Sequence, residues 1–167
     1  KEIPLTRGKV ALVDDEDFEW LSQFKWYYNC GYAARKSSIG DGKQTEIRMH
    51  RLILDPPDGM LCDHINGDGL DNRRRNLRFA TKSQQRMNQR NLRTFTRPKT
   101  SRHKGVFLRW WRNPSGRIGK AWCAAVKHNG RIIRRSCHTQ REAARTYNEM
   151  ARRYFGTYAR LNKVGRA

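Results

Sequence analysis

The charge of this chain changes abruptly after Gln85. Residues 1–85 hold 14 Lys+Arg against 13 Asp+Glu, whereas residues 86–167 hold 22 Lys+Arg against only Glu142 and Glu149. One surface wrapped round one core has no reason to segregate charge along the sequence. A near-neutral half and a half at +20 point instead to two small units with separate tasks, scaffolding or chemistry first and polyanion binding second. The whole chain carries +21, with a pI near 10.8, which makes nucleic acid the leading partner.

Cys30, Cys62, Cys123 and Cys137 are scattered, with no C-x-x-C pair. Four-thiolate zinc is therefore disfavoured, and each cysteine reads as a small apolar residue in a reduced, intracellular setting. No apolar run is long enough to cross a bilayer, and no secretory signal is seen.

Along the first half, Val10 to Val13 reads as a strand, followed by an acidic turn that caps a short helix carrying Phe18, Leu21 and Phe24 on one side. "GYAARKSSIGDGKQTEIRMHRLIL" reads as two strands about a Gly-rich hairpin loop, Ile39 to Lys43. "DPPDGMLCDH" turns and then delivers Asp63 and His64 on a short strand. "NLRFATKSQQRMNQRN" carries helix formers with Thr81 or Ser83 as N-cap. In the second half, "GVFLRWW", "KAWCAAVKH" and "RIIRRSC" alternate as three short strands, and "TQREAARTYNEMARRYF" is an amphipathic helix capped by Thr139, with Ala143, Tyr147, Met150, Ala151 and Tyr154 as its buried stripe.

Cleaving a phosphodiester needs a base for the attacking water and a cation for the phosphate and the departing 3′ oxygen. A neutral imidazole supplies the first; a carboxylate and an amide oxygen can hold the second. Asp63 and His64 are adjacent on an extended segment, so they point to opposite faces: Asp63 can hold an ion while His64 stands apart as base. The other reading of the same residues is an Asx-rich turn.

The stretch Met49 to Gln85, "MHRLILDPPDGMLCDHINGDGLDNRRRNLRFATKSQQ", resembles the HNH endonucleases of the ββα-metal fold, of the phage and intron-encoded homing type, in its D-H-x-x-G, D-N and N-L-R spacing. The resemblance implies His64 as general base and Asp63 as metal ligand, with Asn76, twelve positions on, bracing the loop and orienting the imidazole by a hydrogen bond. The family places His or Asn nine residues further as the second protein ligand; Gln85 stands there, and Asn88, one helical turn on, is the alternative. His50 begins the module in the family's H-R pair and is taken as a structural or phosphate-contacting residue rather than a catalytic one; Arg73, Arg74 and Arg75 are expected, with His50, on the DNA-binding side. His103, His128 and His138 have no acidic neighbours at ligand spacing and are read as surface or DNA-side residues.

In Ser101 to Asn162 cationic and aromatic residues alternate along the strands, as a sheet needs in order to present one face to a groove. Phe107, Arg109 and Trp111 fall on one face, and Val106, Leu108 and Trp110 on the other. "KGV", "W-C-A-A", "T-x-x-E-A-A-x-x-Y" and "A-R-x-x-F-G-x-x-A-x-L-N" make this stretch similar to the AP2 DNA-binding domain. That resemblance implies a sheet in the major groove with Lys104, Arg109, Trp111, Lys127 and Arg131 facing DNA.

The expected fold is therefore α+β. A ββα-metal HNH module with an N-terminal β-rich extension occupies residues 1–90 and a basic linker 91–103. A three-stranded antiparallel sheet on one helix, AP2-like, occupies 104–167. The expected activity is Mg²⁺- or Mn²⁺-dependent hydrolysis of double-stranded DNA, one strand per site, by a phage or mobile-element protein that is a monomer or weak dimer and needs neither membrane nor small-molecule substrate. A DNA-binding protein with a silent nuclease module is the alternative, motivated by Gln85.

Overall fold

A computed structural model describes residues 1–38, 40–89 and 100–165. The chain divides into two compact units, Lys1–Arg86 and Met87–Ala167, one residue past the charge step. Ile39 of the expected hairpin loop, and residues 91–99 of the expected linker with Pro98, lie outside the described residues.

The first unit is built from small antiparallel pairings. Strands β1 (Glu2–Pro4) and β2 (Val10–Leu12) pair, followed by helix α1 (Asp15–Ser22). Strands β3 (Tyr27–Asn29), β4 (Tyr32–Ser38) and β5 (Gln44–Arg48) form a meander. Helix α2 (Met49–Leu54) leads to strand β6 (Leu61–His64), which pairs with β7 (Leu77–Ala80) before helix α3 (Lys82–Asn88). These elements close over a core that includes Ile3, Val13, Leu21, Trp26, Met49 and Ile53.

Two sequence expectations change here. Phe24 lies beyond the end of α1 and is partly exposed rather than on its buried stripe. "MHRLIL", expected to continue a strand, is helix α2: Met49, His50 and Ile53 are its buried residues, a spacing that one helix face can cover and an alternating strand cannot. For α3 the structure selects between two caps. Thr81 Oγ1 accepts from the Gln84 amide at 3.2 Å, and Gln84 Oε1 accepts from the Thr81 amide at 2.8 Å, a reciprocal box.

In the second unit strands β8 (Val106–Arg112), β9 (Ile118–His128) and β10 (Arg131–Cys137) form an antiparallel sheet in the order β10-β9-β8. Helix α4 (Gln140–Phe155) lies on one face, its Ala143, Ala144, Tyr147, Met150 and Ala151 packed with Val106, Ala124 and Val126. Thr139 caps it, accepting from the Glu142 amide at 3.1 Å. Asn162 ties the unit's ends together: it exchanges two hydrogen bonds with the backbone of Lys104 and two more with the side chain of Asn148.

No helix among the described residues is long and apolar enough to cross a membrane.

Candidate active site and nucleic-acid interface

Antiparallel pairing of β6 with β7 sets Asp63 opposite Arg78 and His64 opposite Leu77. Asp63 and His64 are both buried. The loop that follows them, residues 65–72, is stitched to β2: Leu12 donates its amide to Leu70 and accepts from Asn72, both at 2.8 Å. Gly69 lies so close to Gly31 O and the Tyr32 ring that a β-carbon there would overlap both. This anchoring fixes Asn72, which is fully buried and donates its amide to Leu70 O at 3.2 Å.

That bond leaves Asn72 Oδ1 turned toward His64, 3.2 Å from Nε2. An amide oxygen only accepts, so Nε2 carries the hydrogen and Nδ1 carries the lone pair of the neutral ring. Burial holds the His64 pKa below its usual value, while the Asn72 bond and the charges of Asp63, Asp68 and Asp71 oppose that shift. The ring is neutral at physiological pH, yet set among carboxylates that favour the imidazolium once it forms.

Asn76 does brace the loop: it accepts from the Asn66 amide at 3.0 Å and donates to Asn66 Oδ1 at 3.1 Å and Asp71 O at 2.7 Å. Both of its amide hydrogens are thereby directed into the loop. The role of holding the imidazole, expected of Asn76, falls to Asn72. The sequence carried a signal for it in the D-N pair of "LDNRRRN", eight residues after the histidine, but nothing in the spacing says which asparagine reaches the ring.

His50 is not at a DNA-facing position. It is buried, its ring edge-on to His64 with centroids 4.8 Å apart and tilted on Tyr32 at 5.2 Å, and Arg48 covers the Tyr32 ring. Its Nδ1 is buried with no hydrogen-bond partner among the described residues, and desolvation, joined by His64, Arg48 and Arg51, lowers its pKa to about 3. It is a neutral ring packed beside His64.

The three consecutive arginines separate by role. Arg73 grips Asp71 with two bonds of 2.7 and 2.8 Å. Arg74 grips buried Asp17 with two bonds of 2.8 and 2.7 Å, reaches Glu16, and gives its amide to Asp14. Both were expected on phosphate; in the structure their guanidiniums hold the loop to itself and to α1. Arg75 is exposed and makes no ion pair among the described residues.

Asp63 accepts two bonds on Oδ2 from Arg78, from Nη2 at 2.8 Å and Nε at 3.0 Å. The carboxylate is thus already paired with a cation; a carboxylate and an amide oxygen are the donor chemistry of Mg²⁺ and Mn²⁺, so the donor types of Asp63 and Gln85 suit such an ion. Gln85 is half-buried on α3; Asn88, at the end of α3, is buried and belongs to the second unit. Among the described residues no three His, Cys, Asp or Glu side chains gather as a metal cage.

In the second unit the face opposite α4 carries Phe107, Arg109 and Trp111, and the register extends it. Cross-strand partners share a face, so Ala125 and Arg134, and Lys127 and Ile132, join it. The Trp111 indole lies flat over Gly119, where a β-carbon would overlap the ring, and 44% of the residue is exposed. Trp111 therefore lies on the open face as a platform rather than in the core.

Arg131 and Lys104 depart from expectation. The Asn129–Gly130 hairpin, both residues at positive φ, sets Arg131 opposite His128, whose ring lies on Tyr154 of α4. Arg131 is on the helix side, and Arg134 takes the open-face place that the sequence reading missed. Lys104 directs its ammonium to the carbonyls of Met87 and Gln89 instead of a groove, and burial, with Arg160 nearby, lowers its pKa to about 8.

Residues 55–87 match the family described as HNH endonuclease. An uncharacterized HNH endonuclease of Acanthamoeba polyphaga mimivirus is 30% identical over 164 residues, spanning 95% of this chain and 77% of the relative. No solved structure matches. The match to the family falls on the strand, loop and helix that hold Asp63, His64 and Asn76, and the likeness to the viral relative runs through both units: the chain belongs to the HNH endonuclease family.

Proposed function

We propose that this protein is a metal-dependent DNA endonuclease of the homing type in which His64 is the general base. The observation that carries this is a buried imidazole whose Nε2 lies 3.2 Å from Asn72 Oδ1, beside a buried carboxylate. His64 Nδ1 takes the proton of the attacking water; Asp63, Asp68 and Asp71 stabilise the imidazolium that results. Asp63, with the amide of Gln85, would hold Mg²⁺ or Mn²⁺, which would supply positive charge to the phosphate and the departing 3′ oxygen. Asn76 keeps the loop closed beneath the base. The products are 5′-phosphate and 3′-hydroxyl ends, and one such site nicks one strand.

The open face of β8, β9 and β10 is the DNA reader, as in an AP2 domain. Arg109, Lys127 and Arg134 supply charge and Trp111 an apolar plate against sugars or thymine methyls. Arg75 adds a phosphate contact. Incubation of supercoiled plasmid with Mg²⁺ or Mn²⁺ tests the reading. Relaxed circles are expected from the wild type and none from His64→Ala; equal relaxation by both would overturn it.

A second reading, a DNA-binding protein with a silent nuclease site, is favoured by Gln85 at the second ligand position and by the Asp63–Arg78 ion pair. Tight DNA binding without cutting under either ion would select it.

A further inference from the structure

The pairing across β6 and β7 puts a fixed cation where the proposed mechanism needs a mobile one. Asp63 is a buried carboxylate, and an unpaired charge there would be poorly solvated. Arg78 offsets this with two hydrogen bonds to one oxygen, Oδ2. Its own side chain is largely covered, so water screens the pair weakly. The backbone register holds the partners opposite each other, and the guanidinium meets the carboxylate with little entropy left to lose.

We infer that Arg78 is a positioning residue that holds Asp63 in the ion-free protein and competes with the divalent ion for it. The inference rests on the reading of Asp63 as a metal ligand. An ion approaching Asp63 must either share the carboxylate with a neighbouring guanidinium, at the expense of like-charge repulsion, or displace it. Either route weakens ion binding relative to a site with a neutral residue at 78. The benefit is structural: the β6–β7 pair that carries His64 stays closed when no ion is bound.

The experiment is a Mn²⁺ titration of the full chain without DNA, read by electron paramagnetic resonance of the free ion and by the thermal midpoint with and without Mn²⁺. Arg78→Gln removes the competing charge and keeps a polar side chain. It is expected to bind Mn²⁺ about tenfold more tightly than wild type, as loss of a modest charge repulsion would give. It is also expected to gain more in thermal midpoint from the ion, because its ion-free state has lost the partner of Asp63. Arg78→Lys keeps one cation without the two-pronged hold and moves both readouts the same way by a smaller factor. It also serves if Arg78→Gln does not fold even with Mn²⁺.

Unchanged Mn²⁺ affinity in the folded variants overturns the role of Arg78 while leaving Asp63 as ligand, provided that Asp63→Asn abolishes binding. Mn²⁺ binding that survives Asp63→Asn overturns the reading of Asp63, and the inference with it.

Discussion

Three adjacent arginines, 73 to 75, show how position rather than type decides what a side chain does. Arg74 is the counter-ion of Asp17, a fully buried carboxylate on α1. Arg74→Ala leaves that charge without its partner and is expected to destabilise the first unit by about 3 kcal/mol in a urea melt. Arg75→Ala should leave the midpoint in place and weaken retention on DNA. A protein in which the two variants melt alike would contradict the assignment.

His50 makes a residue-scale prediction about pH. Its folded pKa, about 3, lies below the unfolded value near 6.5, so the unfolded chain binds the proton first as pH falls. The contribution of the neutral ring is complete above pH 6.5 and is lost progressively toward pH 3, about 2 kcal/mol of it by pH 5. His64, its pKa also lowered by burial, acts in the same direction. His50→Gln should flatten the dependence of the urea midpoint between pH 7 and pH 5; an unchanged slope would show that another group sets it.

Among the elements, the ones legible in the sequence are those whose periodicity runs for several turns or pleats. α4 has sixteen residues, a threonine cap and a stripe of alanine, tyrosine and methionine, and no strand pattern fits it. α2 has six residues, too few to separate a period of 3.6 from one of 2, and the β-formers that precede it extend the wrong reading. β10 was recognisable as a strand, but "RIIRRSC" puts like residues on both faces, so only the pairing across the Asn129–Gly130 turn assigns them. That assignment is testable. Arg134→Ala should weaken binding to duplex DNA several-fold, as loss of an open-face cation would, and Arg131→Ala much less. The reverse order would mean that the sheet meets DNA from its helix side.

At the scale of the whole molecule, a linear motif gives positions and leaves out the bonds that make them work. "DHINGDGLDN" announces an imidazole beside a carboxylate. It does not say that Asn72, held by β2 some sixty residues earlier, fixes the tautomer, because that contact exists only once the loop is sewn to the N-terminal strands. Asn72→Ala should therefore lower plasmid nicking and alter its pH profile, since the ring loses the acceptor that fixes its hydrogen. A uniform loss of rate with an unchanged profile would make Asn72 structural only.

The charge split has a consequence of its own for binding. The first unit neutralises much of its charge internally, through Arg73, Arg74 and Arg78, while the second presents Arg109, Lys127 and Arg134 on one open face. Each phosphate contact releases condensed counterions, so a face that makes roughly six to ten of them loses about 10³- to 10⁵-fold in affinity between 50 and 200 mM salt. Alanine at Arg109, Lys127 or Arg134 should reduce the slope of log affinity against log salt by about one where the residue holds a phosphate. A residue that reads a base edge instead should change affinity on some sequences and leave the slope nearly unaltered. Alanine at Arg73 should leave the slope untouched, because its guanidinium already holds Asp71. Filter binding of one duplex across the salt range, repeated for the four variants, separates these cases, and a flat dependence in the wild type would remove the second unit from DNA altogether.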